Sequence, residues 1–202
     1  MSWGKVEILN QEGEKVFAQA PIIVSASRST DIPTFYADWF IERWKAGYVK
    51  WKNPFNGTPL YISFKNTKVV VFWTKNPKPI MKHLDFLDKN VKNYYFQFSL
   101  NDYDEEGFEG KVPRLENRIK TFKELSNRIG KDKVVWRFDP LLLTNNIDVK
   151  ELLKRLEKIG NELYQYTNKL VFSFADISIY KKVENNLKRE NVSYIEFTLD
   201  TM

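Results

Sequence analysis

Cysteine is absent from the 202 residues, and histidine occurs once, at His83. The first absence excludes disulfides, thiolate nucleophiles, cysteine-ligated zinc and protein thiolates for an iron–sulfur cluster. The second excludes a histidine-rich zinc site and the usual Ser-His triad. There is no apolar run of about 18 residues, the length that spans a bilayer. The start, Met1-Ser2-Trp3-Gly4-Lys5, lacks the apolar stretch of a signal peptide. The expected location is therefore the cytoplasm, with no membrane partner. What the chain has in quantity is apolar and aromatic side chain, 43% and 15% of its residues, enough for one sizeable domain over 1–202. Its 32 basic and 26 acidic residues leave a net +6, which favours an anionic ligand without requiring nucleic acid.

Periodicity predicts an α/β fold. Lys5–Leu9 and Lys15–Gln19 alternate around Gln11-Glu12-Gly13 and read as an N-terminal β-hairpin. Strand-loop-helix units follow. The first has a strand from Ile22, Thr30 or Asp31 as helix cap, Pro33 near the first helical position and Gly47 as the stop, with Phe35, Trp39, Phe40 and Trp44 on the buried face. A second hairpin, Val49–Trp51 and Leu60–Phe64, turns at Asn53-Pro54-Phe55-Asn56-Gly57. The second unit pairs Lys68–Trp73 with a helix capped by Asn76, opened by Pro77 and striped with Ile80, Leu84 and Leu87. The third joins Tyr94–Leu100, through an acidic loop, to a helix bearing Leu115, Ile119, Phe122, Leu125 and Ile129. The fourth joins Val134–Phe138 to a helix capped by Asp148, with Leu152, Leu153, Leu156, Ile159 and Leu163. The fifth joins Leu170–Phe174 to a helix containing Val183 and Leu187. Tyr194–Phe197 reads as a sixth strand, followed by Thr198–Met202 where another helix would start. The expected architecture is an incomplete (β/α) barrel of five to six βα units.

Several strands carry polar residues at a period of two. Gln97, Ser99 and Asn101 oppose Phe96, Phe98 and Leu100; Arg137 and Asp139 oppose Trp136 and Phe138; Ser25, Ser27 and Ser173 follow the same rule. Such a face would point into a barrel and gather at the strand carboxyl ends, where α/β folds bind ligands. The alternative is a satisfied internal network that only holds the sheet. Arg28, Lys75 and Arg137 would supply cations for a phosphate or carboxylate, with helix starts after Asp31 and Asn76. Asp31, Asp139 and Asp176 could instead gather a divalent cation or serve as general acid or base. Trp39 and Trp44 read as packing residues, His83 as a surface or packing residue, and Asp102–Gly107 as a solvated acidic loop. The lysines 65, 68, 75, 78 and 82 cross a strand, a loop and a helix start, which ranks nucleic acid below a small anionic molecule as a partner.

The order of several blocks carries a resemblance: Ser25–Pro33 with Phe35-Tyr36, Ala46–Val49, Asn53–Asn56, Phe72–Pro77, Tyr95–Phe98, Trp136–Leu142, and Phe172–Phe174 with Asp176. From Ile22 onward the chain resembles the bacterial domain-of-unknown-function 1848 family. The resemblance implies a barrel similar to that of radical S-adenosylmethionine enzymes, whose cysteine-rich, cluster-holding segment would lie beyond the region matched. The chain is then expected to be truncated before that segment. It would carry no cofactor of its own, with an iron–sulfur cluster and S-adenosylmethionine belonging to a longer product. Where the family tends to have a second arginine after Arg28, this sequence has Ser29. The resemblance places the ligand-binding candidates at Arg28, Thr30, Asp31, Lys75, Asn76, Gln97, Arg137 and Asp139. An open barrel edge would expose apolar strand, to be covered by a further segment or by a second subunit in a homodimer.

Overall fold

Gly13, at φ +78°, reverses the chain between β1 (Gly4–Leu9) and β2 (Lys15–Ala20), giving the expected antiparallel hairpin with Gly4 opposite Ala20. The computed structural model describes residues 4–27, 30–53, 56–179 and 181–202. Arg28 and Ser29, the Pro54-Phe55 pair and the side chain of Val183 lie outside the described residues. The chain divides into two compact units, residues 1–97 and 98–202, with the boundary inside one strand.

In the first unit, β3 (Ile23–Ser25) leads to two helices, α1 (Ile32–Phe35) and α2 (Ala37–Ala46), where the sequence predicts one. The break at Tyr36, φ −134°, rotates the apolar face. Phe40 and Ile41 are buried, whereas Phe35 is 67% exposed and Trp39 is also exposed, contrary to their expected burial. Asp31 is the N-cap, as predicted, and Gly47 ends α2 at φ +80°. The second hairpin, β4 (Tyr48–Lys52) and β5 (Pro59–Ser63), joins the first by a parallel contact, Gln19 to Ile62. The four strands form one sheet in the order β1-β2-β5-β4, a union the sequence does not announce. Next come β6 (Val69–Thr74), α3 (Lys78–Met81) and α4 (Leu84–Asn90). Pro77, not Asn76, caps α3, and the predicted stripe Ile80, Leu84, Leu87 is buried across two helices rather than one. The core of this unit is aromatic. Phe72 meets Phe40 edge-on at 5.3 Å and stacks on Phe96 at 5.0 Å, while Trp44 stacks on Phe64 at 4.7 Å.

Strand β7 (Tyr94–Ser99) crosses the boundary, and α5 (Leu115–Ile129), β8 (Val134–Leu141), β9 (Leu143–Thr144), α6 (Val149–Leu163), β10 (Leu170–Phe174), α7 (Lys181–Arg189) and β11 (Tyr194–Ile195) follow. Asp148 caps α6 as expected. Five strands form one parallel sheet in the order β10-β8-β7-β6-β3, open at its two ends, so the described residues form no closed barrel. The predicted sixth strand does not extend it: β11 pairs antiparallel with β9, Tyr194 opposite Thr144. The apolar face of β8 is buried at Val134, Trp136 and Phe138, with Arg137 and Asp139 half-buried on the other face, as the period of two requires. On α5 and α6 the buried stripes include Arg118 and Arg155, while Leu153 is exposed rather than buried.

Candidate functional site

Asp31 anchors the first group of predicted residues. Its Oδ1 accepts from the Thr34 amide at 3.0 Å, and its Oδ2 accepts from Thr74 Oγ1 at 2.9 Å and from the Lys75 amide at 3.0 Å. Thr34 Oγ1 donates to the Asn76 carbonyl at 2.9 Å, and Asn76 Oδ1 accepts from the Lys78 amide at 3.2 Å. The start of α1 and the end of β6 are therefore tied through one carboxylate and two hydroxyls. Arg28, the cation expected beside this group, lies outside the described residues. Thr30 is exposed, its carbonyl accepting from the Ile32 amide at 3.0 Å. Gln97 is half-buried on β7, its Nε2 donating to Tyr95 Oη at 3.4 Å.

The second group forms within residues 98–202, where β8 and β10 end. Arg137 Nε donates to Asp139 Oδ2 at 3.1 Å, and Nη2 bonds the same oxygen. Ser173 Oγ donates to the other carboxylate oxygen of Asp139. The Arg137 and Asp139 side chains are 16% and 13% exposed, and Ser173 is exposed. Two residues of the segment after β7 brace the end of β8. Asn101 Oδ1 accepts from the Asp139 amide at 3.0 Å. Tyr103 Oη donates to the Pro140 carbonyl at 2.9 Å and accepts from the Leu142 amide at 3.0 Å. Burial pushes the Tyr103 phenol well above its ordinary 10.0, so it stays a neutral donor. Asp176, proposed from the sequence as a cation ligand or acid–base group, accepts from Ser178 Oγ at 3.1 Å on the surface.

Sequence reasoning missed what holds this region. The acidic loop is not simply solvated. Arg118, 1% exposed, bonds Asp104 at 2.5 Å and Glu109 at 2.8 Å, and Arg155 bonds Glu106 and Glu151 at 2.8 Å each. The signal was present as an arginine inside each apolar stripe, Leu115-Arg118-Phe122 and Leu152-Arg155-Ile159, downstream of a run of carboxylates. An open groove in the same unit lies beside Arg155 and is lined by Glu105, Glu106, Asp148 and Glu151, a surface of the wrong sign for an anion. His83 sits at the surface against Asp38 at 2.6 Å, and Trp44 donates its indole N–H to the Asn90 carbonyl at 3.2 Å, each in its expected packing role.

An iron–sulfur cluster takes thiolate or, less often, imidazole ligands. This chain has no cysteine, and its single imidazole is engaged by Asp38, so its donor set does not fit such a cluster. No helix is long and apolar enough to cross a membrane among the described residues.

No curated protein and no solved structure matches the chain. A family model does, over residues 23–202, from β3 through β11. The chain belongs to that family, described as Domain of unknown function (DUF1848).

Proposed function

We propose that this chain is a ligand-binding portion of a (β/α) barrel of the kind found in radical S-adenosylmethionine enzymes, and that it holds a small carboxylate- or phosphate-bearing molecule where β8 and β10 end. The observation that carries this reading is the Arg137–Asp139–Ser173 group: a guanidinium in mid-strand whose orientation a carboxylate fixes, with that carboxylate and an exposed hydroxyl lying toward the carboxyl ends of adjacent parallel strands. Ligands of open α/β sheets bind in that position. Arginine recognises planar anions through paired N–H groups, and a guanidinium already held in place loses less freedom on binding. Cluster chemistry would have to be supplied from outside these 202 residues.

The test is calorimetric titration with pyrophosphate, citrate and S-adenosylmethionine at low salt. Saturable binding of at least one, weakened about tenfold or more in Arg137→Lys, which keeps the charge and loses the planar fork, is the expected result. Equal affinity in both proteins, or no saturation at millimolar ligand, overturns it. An oligonucleotide that binds with a steep salt dependence, while the three small anions do not, would move the reading to nucleic acid.

A further inference from the structure

The outer edge of β10 stands apart from the binding site in its chemistry. Leu170–Phe174 is the last strand of the parallel sheet among the described residues, and it carries neither a charge nor a proline, the usual protections of an edge. The Trp136 amide donates to the Lys169 carbonyl, and the Ala175 amide donates to the Leu141 carbonyl, so the odd-numbered residues turn their backbone groups toward β8. The N–H and C=O groups of Leu170, Phe172 and Phe174 therefore face outward. The side chains of Leu170 and Phe172 are also uncovered, Phe172 by 51%, although α7 follows β10 and would cover them in a regular βα unit.

We propose that this edge pairs with the same edge of a second copy of the chain, antiparallel about a two-fold axis at Phe172. In that register Phe172 faces Phe172 and Leu170 faces Phe174, the residues whose backbone groups point outward, so both strands exchange hydrogen bonds in phase. Leu170, Phe172 and Phe174 meet their counterparts on one face, and Val171 meets Ser173 on the other. The charges agree as well. Antiparallel pairing brings exposed Lys169 of each copy opposite Ala175 of the other, next to exposed Asp176, so opposite charges meet twice and like charges do not. A two-fold interface needs one self-complementary patch, and this strand has the sequence of one. A chain of different sequence would need none of this internal symmetry.

The absence of cysteine makes the test direct. In the proposed register the two Phe172 Cα atoms lie about 5.5 Å apart, inside the disulfide range. The two Val171 Cα atoms, offset along the strands, lie roughly 8 Å apart and outside it. Phe172→Cys is expected to form a cross-linked dimer under mild oxidation, and Val171→Cys is not. The unmodified chain should sediment at twice its 24.0 kDa mass, and Phe172→Glu, which sets two carboxylates face to face, should sediment at 24.0 kDa with an unchanged circular dichroism spectrum. If Phe172→Glu does not fold, the cysteine pair decides. A monomeric parent chain with no cross-link in Phe172→Cys overturns the proposal, as does equal cross-linking of the two cysteine variants.

Discussion

Asp31 caps the helix that follows β3, Asp139 lies within β8, and their described partners separate them. Among the described residues Asp31 accepts from two backbone amides, groups that a fold must satisfy anyway, and from a threonine hydroxyl. Asp139 is engaged by an arginine and by an exposed serine, groups with no such obligation. An aspartate spent on amides is a latch. One that orients a guanidinium beside solvent is what the proposed anion site rests on. The two units differ in the same way as the two aspartates. In residues 4–97 the described pairs Lys45–Glu42 and Lys82–Asp38 are exposed, and the described loop contacts at Asp31 are hydrogen bonds. In residues 98–202 buried arginines hold the loop after β7.

The sharpest way to break this contrast is Arg118→Ala. It strands Asp104 and Glu109 without their buried cation and should cost about 3–5 kcal/mol in denaturant unfolding. A loss below about 1 kcal/mol would mean that the loop does not depend on its charges. Asp31→Ala comes next. Loss of a helix cap and of bonds to a charged acceptor should cost about 2–3 kcal/mol, and anion binding by the Arg137 group should be unchanged in the same titration. Tyr103→Phe removes the brace of the Pro140–Leu142 segment at the end of β8 and should cost about 1–2 kcal/mol.

That tyrosine also gives a pH signature. Because burial raises the folded-state pKa above the unfolded value of 10.0, its contribution is intact below pH 10 and is lost as the pH rises further, while the phenylalanine variant lacks that slope in an alkaline stability titration. Smallest is Asp38→Asn at the surface, where hydrogen bonds from Lys82 and His83 hold the carboxyl below its ordinary 3.8. Its contribution is present at neutral pH and fades as the pH falls through that lowered value. Thermal melts at pH 7 should not distinguish this variant from the parent chain.

Much of the fold is legible in the sequence because its signals are local. Both hairpins, the caps Asp31 and Asp148, and the period of two in β7 and β8 depend on neighbouring residues alone. The failures are of another kind. The turn to solvent of Phe35 and Trp39 follows from a break at Tyr36, a residue with no breaking propensity of its own. Tyr194 and Ile195 alternate like a sheet strand, yet their partner is β9, because pairing is decided by which edge lies within reach. Of the candidate site, Arg137 and Asp139 are brought together as their shared face implied. Asn101 stands on the polar face that the period of two gives, but its bracing role and that of Tyr103 are not legible, because a brace acts on backbone groups, which every sequence has and none advertises.

The single parallel contact between Gln19 and Ile62 has a consequence for how the first unit opens. Each hairpin closes over a short turn and can form within microseconds. Their union must wait for closure of a loop of more than forty residues, and it is held by few backbone bonds. Residues 4–20 lie outside the span matched by the family, although they share a sheet with β4 and β5 inside it. In native-state hydrogen exchange their amides should open together and early, at a free energy well below that of the aromatic core around Phe72.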